Sequence, residues 1–281
     1  MSSEPEPRGT EKAAGEGWVC HLLTLFPDFF SSPLEASIVG KARERGDIRL
    51  EAHDIRAFAD GKHKVTDDSP YGGGAGMVMK PDPIVRALEA VEALELERTG
   101  QRPHRIALTP GGAPFRHADA KRLAQLGAVS LVCGRYEGID ERVMEFVDEE
   151  MSLGDFVLTG GEPAALTIVD AVVRFVPGVL GNSLSAEDES FGTGRLEYPH
   201  YTRPRTFRGR EVPEILCSGD HGKVDRWRRS QALLRTLERR PELFSRRRLD
   251  EQEWKLLREQ GVEREAVLDA VGAVGAEEVE S

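Results

Sequence analysis

Short apolar runs alternate with amphipathic stretches along most of this chain. Runs rich in β-branched residues predict strands at residues 19–25, 48–53, 105–109, 129–133 and 155–158. Apolar positions that recur every three or four residues predict helices at residues 34–45, 82–97, 117–126 and 162–176. This alternation predicts an α/β fold with a mainly parallel sheet over residues 18–181.

The C-terminal third has a different pattern. Residues 182–196 are small, polar and glycine-bearing, so we predict a flexible linker there. Within residues 197–261, the segment 225–239 places Trp227, Leu234 and Leu237 on one helical face with arginines around the rest, which predicts a small helical domain. Residues 1–17 predict a disordered polar tail, and residues 262–281 predict a frayed acidic tail.

Charge is distributed unevenly along the chain. The formal net charge of -11 argues against a protein that coats nucleic acid. The window 195–248 is the exception, because its basic residues outnumber its acidic ones by roughly 8. A basic module within an acidic chain is typical of an enzyme that binds a polyanion at one end.

Cysteine spacing and hydropathy bear on the cellular compartment. Cys20, Cys133 and Cys217 are odd in number and widely spaced, so they indicate neither a disulfide framework nor a zinc knuckle. The most apolar long segment, residues 166–180, is interrupted by charges and is too short to span a bilayer. The first residues contain no apolar signal core. We therefore expect a cytoplasmic protein that does not associate with membranes.

Three glycine-bearing segments carry the candidate chemistry. Residues 131–143 and 152–162 combine short apolar runs with carboxylates and backbone donors, and residues 108–112 lie where a strand is predicted to end in a turn. Because ligands bind at the carboxyl ends of strands in open α/β sheets, these segments predict one small-molecule pocket. A further glycine cluster, residues 71–76, matches neither a dinucleotide fingerprint nor a P-loop, so we interpret it as a plain loop.

Charged residues outside these loops have ordinary interpretations. Asp170 and Arg174 lie four apart on a predicted helix, a spacing typical of an ion pair within the helix. Asp188 and Glu189 are typical of solvated charge in a linker. His200 has no second ligand at a usable spacing, so the sequence predicts no metal site.

Five longer motifs are specific enough to compare with a known family. They are Pro70-Tyr-Gly-Gly-Gly, Cys133-Gly-Arg-Tyr-Glu-Gly-Ile-Asp-Glu-Arg142, Leu153-Gly-Asp-Phe-Val-Leu158, Val176-Pro-Gly-Val-Leu-Gly181 and Pro199-His-Tyr-Thr-Arg-Pro204. In these motifs the chain resembles the bacterial tRNA (guanine-N1)-methyltransferases. The resemblance implies a trefoil-knotted α/β domain of the SPOUT type with a small helical C-terminal domain that binds tRNA. It also implies a homodimer with active sites at the interface.

The resemblance further implies a methyl donor and an acceptor. The donor is S-adenosyl-L-methionine, the acceptor is N1 of the guanosine 3′ of the anticodon in tRNA, and Mg²⁺ assists enzymes of this family. The cofactor contacts that follow from matching the motifs are Leu108, Thr109, Pro110, Gly111, Gly134, Arg135, Tyr136, Glu137, Ser152, Leu153, Gly154, Asp155, Phe156, Val157, Leu158, Gly160 and Gly161.

The catalytic pair of the family matches this chain at one position and departs from it at the other. The family has an arginine before Phe-Val/Ile-Pro, which corresponds to Arg174 and would stabilise negative charge on guanine O6. The family has an aspartate directly before Ser-Phe as general base, whereas this chain has Glu189 there and Asp188 one residue earlier. We predict that Glu189 removes the N1 proton, with Asp188 as the alternative.

Two other functions remain open at this point. The chain could be a knotted methyltransferase that acts on another tRNA position. Alternatively, the replacement of aspartate by Glu189 is compatible with a non-catalytic RNA-binding protein built on a degenerate methyltransferase fold.

Overall fold

The computed structural model describes residues 17–180 and 189–280. The chain divides between residues 183 and 184 into an N-terminal unit and a C-terminal unit. The elements of the N-terminal unit are β1 (Trp18–Thr24), α1 (Ser37–Glu44), β2 (Ile48–Asp54), β3 (Asp67–Asp68), β4 (Val78–Met79), α2 (Pro81–Thr99), β5 (His104–Pro114), α3 (His117–Ala124), β6 (Ala128–Cys133), β7 (Glu149–Ser152) and α4 (Glu162–Val173).

The N-terminal unit is built on one five-stranded sheet. The strand order is β2-β1-β6-β5-β7, and every neighbouring pair is parallel. The predicted α/β class with a parallel sheet is therefore confirmed. Consecutive residues of β1 point to opposite faces of the sheet, and Leu22 and Leu23 are both fully buried. Both faces are thus covered, as expected for a parallel sheet.

Helices cover the two faces unequally. One core contains Leu22 together with side chains of α1, α3 and α4, such as Val39, Leu123 and Ile168. The other contains Leu23 and the apolar face of α2. Helix α2 begins with Pro81 in its first turn and ends at Gly100, whose φ of 72° is the left-handed conformation that glycine adopts without strain. Helix α2, with 19 residues, is therefore the main helix on the face of the sheet that carries Leu23.

Two predicted elements differ from the structure. The fifth strand of the sheet is β7, Glu149–Ser152, and not residues 155–158. The hydrophobic pattern does not predict β7, because two of its four side chains are carboxylates. Glu149 forms an ion pair with Arg122 at 2.9 Å, and its carboxylate lies 2.8 Å from His104 Nε2. The helix predicted at residues 34–45 is a short 3-10 helix at Pro33–Glu35 followed by α1.

Strand β5 continues beyond the predicted turn at residues 108–112. Met151 of β7 pairs first with Leu108 and then again with Ala113, so the intervening residues form a bulge within the strand. Gly112 lies so close to β7 that a Cβ atom there would be 2.3 Å from the amide nitrogen of Met151. The bulge therefore depends on glycine at this position.

The C-terminal unit is mainly helical. Its elements are β8 (Thr206–Phe207), β9 (Arg210–Glu211), α5 (His221–Arg239), α6 (Leu243–Arg246), α7 (Glu251–Glu259) and α8 (Arg264–Glu280). Leu233, Phe244, Leu257 and Val267 form its core. The expectation that the chain is frayed from residue 262 is wrong at its start, because Val267 of α8 is buried in this core.

Part of the predicted linker lies within the described residues. Residues 182–188 lie outside the described residues. From Glu189 onward the chain is held by hydrogen bonds, since the Phe191 amide donates to the Arg195 carbonyl at 2.7 Å and the Leu196 amide donates to Thr236 Oγ1 at 2.9 Å. Residues 189–196 thus have hydrogen bonds of their own in the C-terminal unit, and the flexibility of the linker stays a prediction.

The three cysteines have different surroundings. Cys20 and Cys133 are fully buried strand residues, and burial raises the pKa of both thiols. Cys217 is exposed in the C-terminal unit. Among the described residues, no helix is both long enough and apolar enough to cross a membrane.

Candidate cofactor-binding site

The three predicted loops lie at one edge of the sheet. Leu108 of β5 pairs with Cys133 of β6 and with Met151 of β7, so the residues that follow these positions emerge side by side. Thr109 is hydrogen-bonded across the strands, because its hydroxyl donates to Glu150 Oε2 at 3.1 Å. The structure therefore brings together the three segments that the sequence predicted to form one pocket.

Two of the loops touch through their backbones. The Gly161 amide donates to the Gly134 carbonyl at 2.8 Å. A Cβ atom at Gly161 would be 2.7 Å from Cys133 Cα, and one at Gly134 would be 3.5 Å from the Leu108 carbonyl oxygen. Glycine is required at Gly161 because backbone atoms cannot move aside as a flexible side chain can.

A buried polar network holds these loops in place. Arg135 Nε lies 3.0 Å from Glu162 Oε2, and Arg135 Nη1 donates to the Thr159 carbonyl at 3.0 Å. Glu162 is fully buried in the first turn of α4, and its other oxygen accepts from the Thr24 hydroxyl at 2.7 Å. The Arg135 guanidinium also lies 4.5 Å above the ring of Phe26. This network joins the end of β1, the loop after β6 and the start of α4.

The turn after Arg135 has an uncommon backbone conformation. Tyr136 has a φ of 61°, in the left-handed region, which costs a non-glycine residue on the order of 1 kcal/mol. The next two amides hold the turn, because the Glu137 amide donates to the Met77 carbonyl at 3.0 Å and the Gly138 amide donates to the Arg135 carbonyl at 3.2 Å. Such strain is concentrated at binding sites, where surrounding contacts maintain it.

A fourth segment, which the sequence did not place at the site, lies against this turn. The Met79 amide donates to the Gly138 carbonyl at 2.9 Å, and Met79 Sδ accepts from the Arg135 amide at 3.2 Å. A Cβ atom at Gly76 would be 2.2 Å from Glu137 Oε1. The interpretation of residues 71–76 as a plain loop is therefore incomplete, because Gly76 allows this segment to pack on a predicted cofactor contact.

The remaining predicted contacts follow β7. Ser152 is buried, and its hydroxyl accepts from the Gly154 amide at 3.2 Å. Leu153 packs against the core, whereas Asp155 is exposed. Pro110 and Gly111 in the β5 bulge are exposed as well.

Apolar side chains around the loops face solvent in the single chain. The exposed fractions are 49% for Tyr136, 56% for Phe156, 87% for Val157 and 39% for Leu158. Most large apolar side chains are buried in folded domains, so a run of three exposed ones indicates a surface that another molecule covers.

The predicted catalytic residues lie in different parts of the chain. Arg174 is half-buried and caps the C-terminal end of α4, the end opposite Gly161. The twelve residues of α4 span about 18 Å, so Arg174 is remote from the loops of its own chain. Glu189 is half-buried in the C-terminal unit, and its carbonyl accepts from the Gly192 amide at 3.0 Å. Asp188 lies outside the described residues.

Not every arginine of the basic module is available for phosphate. Arg195 is only 3% exposed, and its Nη2 donates to the Arg247 carbonyl at 3.0 Å. Burial lowers the pKa of Arg195, and its guanidinium lies 4.7 Å from the centre of the Phe244 ring. It therefore stabilises the unit internally. Arg226, by contrast, is an exposed residue that forms an ion pair with Glu259.

The whole glycine-loop region falls within a recognised family. Residues 19–246 match the family model described as tRNA (Guanine-1)-methyltransferase TrmD. The chain belongs to this family. The match covers all three loops, Arg174 and Glu189, together with most of the C-terminal unit.

Curated relatives agree with the family match. A tRNA (guanine-N(1)-)-methyltransferase of Myxococcus xanthus is 56% identical over 84% of this chain and 94% of its own length. The proteins of the same name from Geobacter metallireducens and Desulforudis audaxviator are 54% and 53% identical, each over 85% of this chain, and over 96% and 94% of their own lengths. The similarity covers nearly the whole length of each relative and more than four-fifths of this chain.

Proposed function

We propose that this chain transfers a methyl group from S-adenosyl-L-methionine to N1 of the guanosine 3′ of the anticodon in tRNA. The observation that carries the proposal is the convergence of the β5 bulge with the loops after β6 and β7 in a chain that belongs to the tRNA (Guanine-1)-methyltransferase TrmD family. Parallel α/β sheets bind ligands at this edge. The relatives described above are named tRNA (guanine-N(1)-)-methyltransferases.

The loops suit an adenosine held chiefly by backbone groups. Gly112 and Gly161 have no side chains, so backbone segments can approach closely there. The left-handed conformation of Tyr136 changes the direction of the backbone in the turn after β6. The sulfonium methyl of the bound cofactor is electrophilic without further activation. The protein then has to align the acceptor nitrogen and remove one proton.

Guanine N1 becomes a nucleophile as its proton leaves. We assign the proton acceptor to the carboxylate of Glu189, the residue at the family's general-base position. As N1 loses its proton, negative charge develops on O6, and the guanidinium of Arg174 would stabilise that charge more in the transition state than in the ground state.

The separation of Arg174 from the loops supports a homodimer. Helix α4 puts about 18 Å between the Gly161 end and the Arg174 end within one chain. A second copy can bring its own Arg174 to the cofactor loops of the first. The exposed Phe156, Val157 and Leu158 supply apolar surface for such an interface.

Two further proposals rest on the family. The chain after β7 presses on the loop after β6 at Gly161 and Gly134, which supports a SPOUT-type trefoil knot in the N-terminal unit. The helical C-terminal unit, which bears exposed Arg203, Arg205 and Arg208, would bind the tRNA backbone. We assign cofactor binding to the domain of residues 18–181 and tRNA binding to the domain of residues 197–261. We also expect the protein to act in the cytoplasm.

Magnesium assistance is not assigned to residues of this chain. Mg²⁺ prefers oxygen ligands. Among the described residues, the one cluster of three side chains with suitable spacing for a metal consists of two histidines and a glutamate. This donor set does not fit Mg²⁺, and the steps above depend on the chain's own carboxylate and guanidinium.

The decisive experiment is single-turnover transfer of labelled methyl to a tRNA transcript with guanosine after the anticodon. We expect Glu189→Gln to lose about 100-fold or more in rate, since general-base catalysis typically contributes about 10²–10⁴-fold. Asp188→Asn is the matched control, because it removes the neighbouring charge, and we expect it to retain the parental rate. A parental rate for Glu189→Gln with an inactive Asp188→Asn would reverse the assignment of the base.

The same assay distinguishes the alternative functions. Transfer to a transcript with adenosine or uridine at the target position would indicate a methyltransferase for another site or for ribose. Tight cofactor binding without transfer to any transcript would indicate a non-catalytic RNA-binding protein, the alternative that the Glu189 replacement motivates.

A further inference from the structure

A second polar cluster lies on β1 and β2, at the end of the strand order opposite to β5 and β7. Strand β1 pairs in register with the edge strand β2, so that His21 is opposite Glu51 and Leu23 is opposite His53. Residues two apart on a strand point to the same face. His21, Glu51 and His53 therefore share one face, which is the face that α2 covers.

The three side chains converge on one point. His21 Nδ1 is 2.9 Å from His53 Nε2, and Glu51 Oε2 is 3.8 Å from the first nitrogen and 4.0 Å from the second. A tetrahedral ion with bonds of about 2.0–2.1 Å to nitrogen and oxygen has neighbouring ligands about 3.3 Å apart. The observed distances of 2.9, 3.8 and 4.0 Å differ from this value by about 0.4, 0.5 and 0.7 Å, so small side-chain movements would produce that arrangement.

We propose that His21, Glu51 and His53 bind Zn²⁺ or a similar divalent ion that prefers imidazole nitrogen. Two histidines and one carboxylate are a ligand set that zinc uses when water fills its fourth position. The hard ions Mg²⁺ and Ca²⁺ take oxygen ligands instead, so this site is separate from the magnesium assistance of the family.

The groups behind the cluster have the arrangement found around metal-binding histidines. His21 Nε2 is 3.2 Å from Glu95 Oε2 on α2, and both residues are almost completely buried. Donation of a proton from Nε2 to this carboxylate leaves Nδ1 with its lone pair directed at His53 and Glu51. Arg49 Nη2 donates to Glu95 Oε1 at 2.8 Å and orients that carboxylate.

The protonation states and the access route agree with metal binding. Burial lowers the pKa of His53 to about 4 and also lowers the pKa of His21, so both imidazoles are neutral at neutral pH. Metal ligation requires neutral imidazole. His21 is fully buried, but the side chains of His53 and Glu51 are 18% and 26% exposed, which leaves an entry path from solvent.

A histidine pair that only shares a hydrogen bond is the competing explanation. In that case His53 Nε2 carries the proton and donates it to His21 Nδ1. Glu51 already accepts from Arg98 Nη1 at 2.8 Å, so the cluster has its hydrogen bonds without an ion. The two explanations differ in one measurable property, which is stoichiometric metal binding.

The test is metal titration of the full chain after treatment with a chelator. We expect one equivalent of Zn²⁺ to bind in competition with a chromophoric chelator, and Co²⁺ to give visible bands of a four-coordinate ion without thiolate charge-transfer absorption. The thiolate band is diagnostic because Cys217 is exposed and could bind metal on its own. We also expect Zn²⁺ to raise the melting temperature, because an ion that binds the folded state stabilises it.

Substitution of the two partly exposed metal-binding side chains, His53 and Glu51, tests where the ion binds. His53→Gln and Glu51→Gln should each weaken Zn²⁺ binding at least tenfold and abolish the shift in melting temperature. His104→Gln is the control, because His104 is also a strand histidine beside carboxylates, with Glu149 at 2.8 Å, yet lacks a second imidazole. It should bind Zn²⁺ like the parent. No saturable Zn²⁺ binding by the parent, or parental binding by both ligand variants, would overturn the proposal.

Discussion

At the scale of single residues, Glu162 links the start of α4 to two other segments of the candidate site. It is fully buried at the start of α4, where its two oxygens contact Thr24 and Arg135. A charge buried this deeply is stable only with a partner, so Arg135 and Glu162 depend on each other. Glu162 touches no reacting atom in our proposal and acts by positioning Arg135.

Glu162→Gln should therefore weaken the site without removing a ligand contact. The amide can still accept from Thr24, but it no longer attracts the Arg135 guanidinium. We expect the affinity for S-adenosyl-L-methionine, measured by calorimetry, to fall about tenfold, equivalent to about 1.4 kcal/mol.

Glu149→Gln provides the comparison for this prediction. Glu149 is also a carboxylate of the N-terminal unit paired with an arginine, but its partner Arg122 is 42% exposed. Surface ion pairs contribute about 0–1 kcal/mol. Equal losses of cofactor affinity in the two variants would show that the Arg135–Glu162 contact has no special role.

At the scale of elements, the close approach of the loops after β6 and β7 sets the shape of the site. Gly161→Ala would put a methyl group 2.7 Å from Cys133 Cα. Because only backbone movement can relieve this contact, we expect a loss of about 2 kcal/mol in the free energy of unfolding, measured by denaturant titration, and weaker cofactor binding. Gly222→Ala on α5 meets Asp220 at an ordinary 3.6 Å and should not destabilise the protein.

Elements were predictable where burial produces a regular pattern. Strands β1, β2 and β6 were predicted to within one residue at each end, because each carries a run or a regular alternation of buried apolar residues. Strand β7 was missed, since its carboxylates pair with residues distant in sequence, such as Arg122. The apolar residues 156–158 were taken for that strand, but their side chains are exposed.

The site itself was predictable only in part. The rule that ligands bind at the carboxyl ends of strands brought the three loops together correctly. Contacts such as Gly76 with Glu137, or Thr24 with Glu162, join residues 61 and 138 positions apart, and no local pattern encodes them. The histidine cluster was missed for the same reason, because His21 and His53 become neighbours only through the register of β1 and β2.

At the scale of the whole molecule, the acidic chain has a local excess of positive charge in residues 195–248. We expect replacement of three arginines of α5 by glutamine to weaken tRNA binding and to flatten its salt dependence, with cofactor affinity unchanged. These residues are Arg226, Arg228 and Arg229. Each lost phosphate contact reduces the slope of log K against log salt by about 0.7–0.9, so the triple variant should lose up to about 2–3.

A charge-matched control removes three arginines from the N-terminal unit. Arg86, Arg102 and Arg122 are each more than two-fifths exposed and paired with carboxylates. Their replacement by glutamine changes the net charge equally but should leave the salt slope near the parental value. Loss of cofactor binding in the α5 variant would contradict the separation of the two binding functions.

The different burial of the cysteines makes the native chain suitable for site-specific labelling. Cys20 and Cys133 lie inside the sheet with thiols that stay protonated, whereas Cys217 is exposed. A maleimide fluorophore should therefore attach once per chain, beside the basic helix α5, without any engineered substitution. Fluorescence from that one dye can report the arrival of RNA at the C-terminal unit while the buried sheet remains chemically untouched.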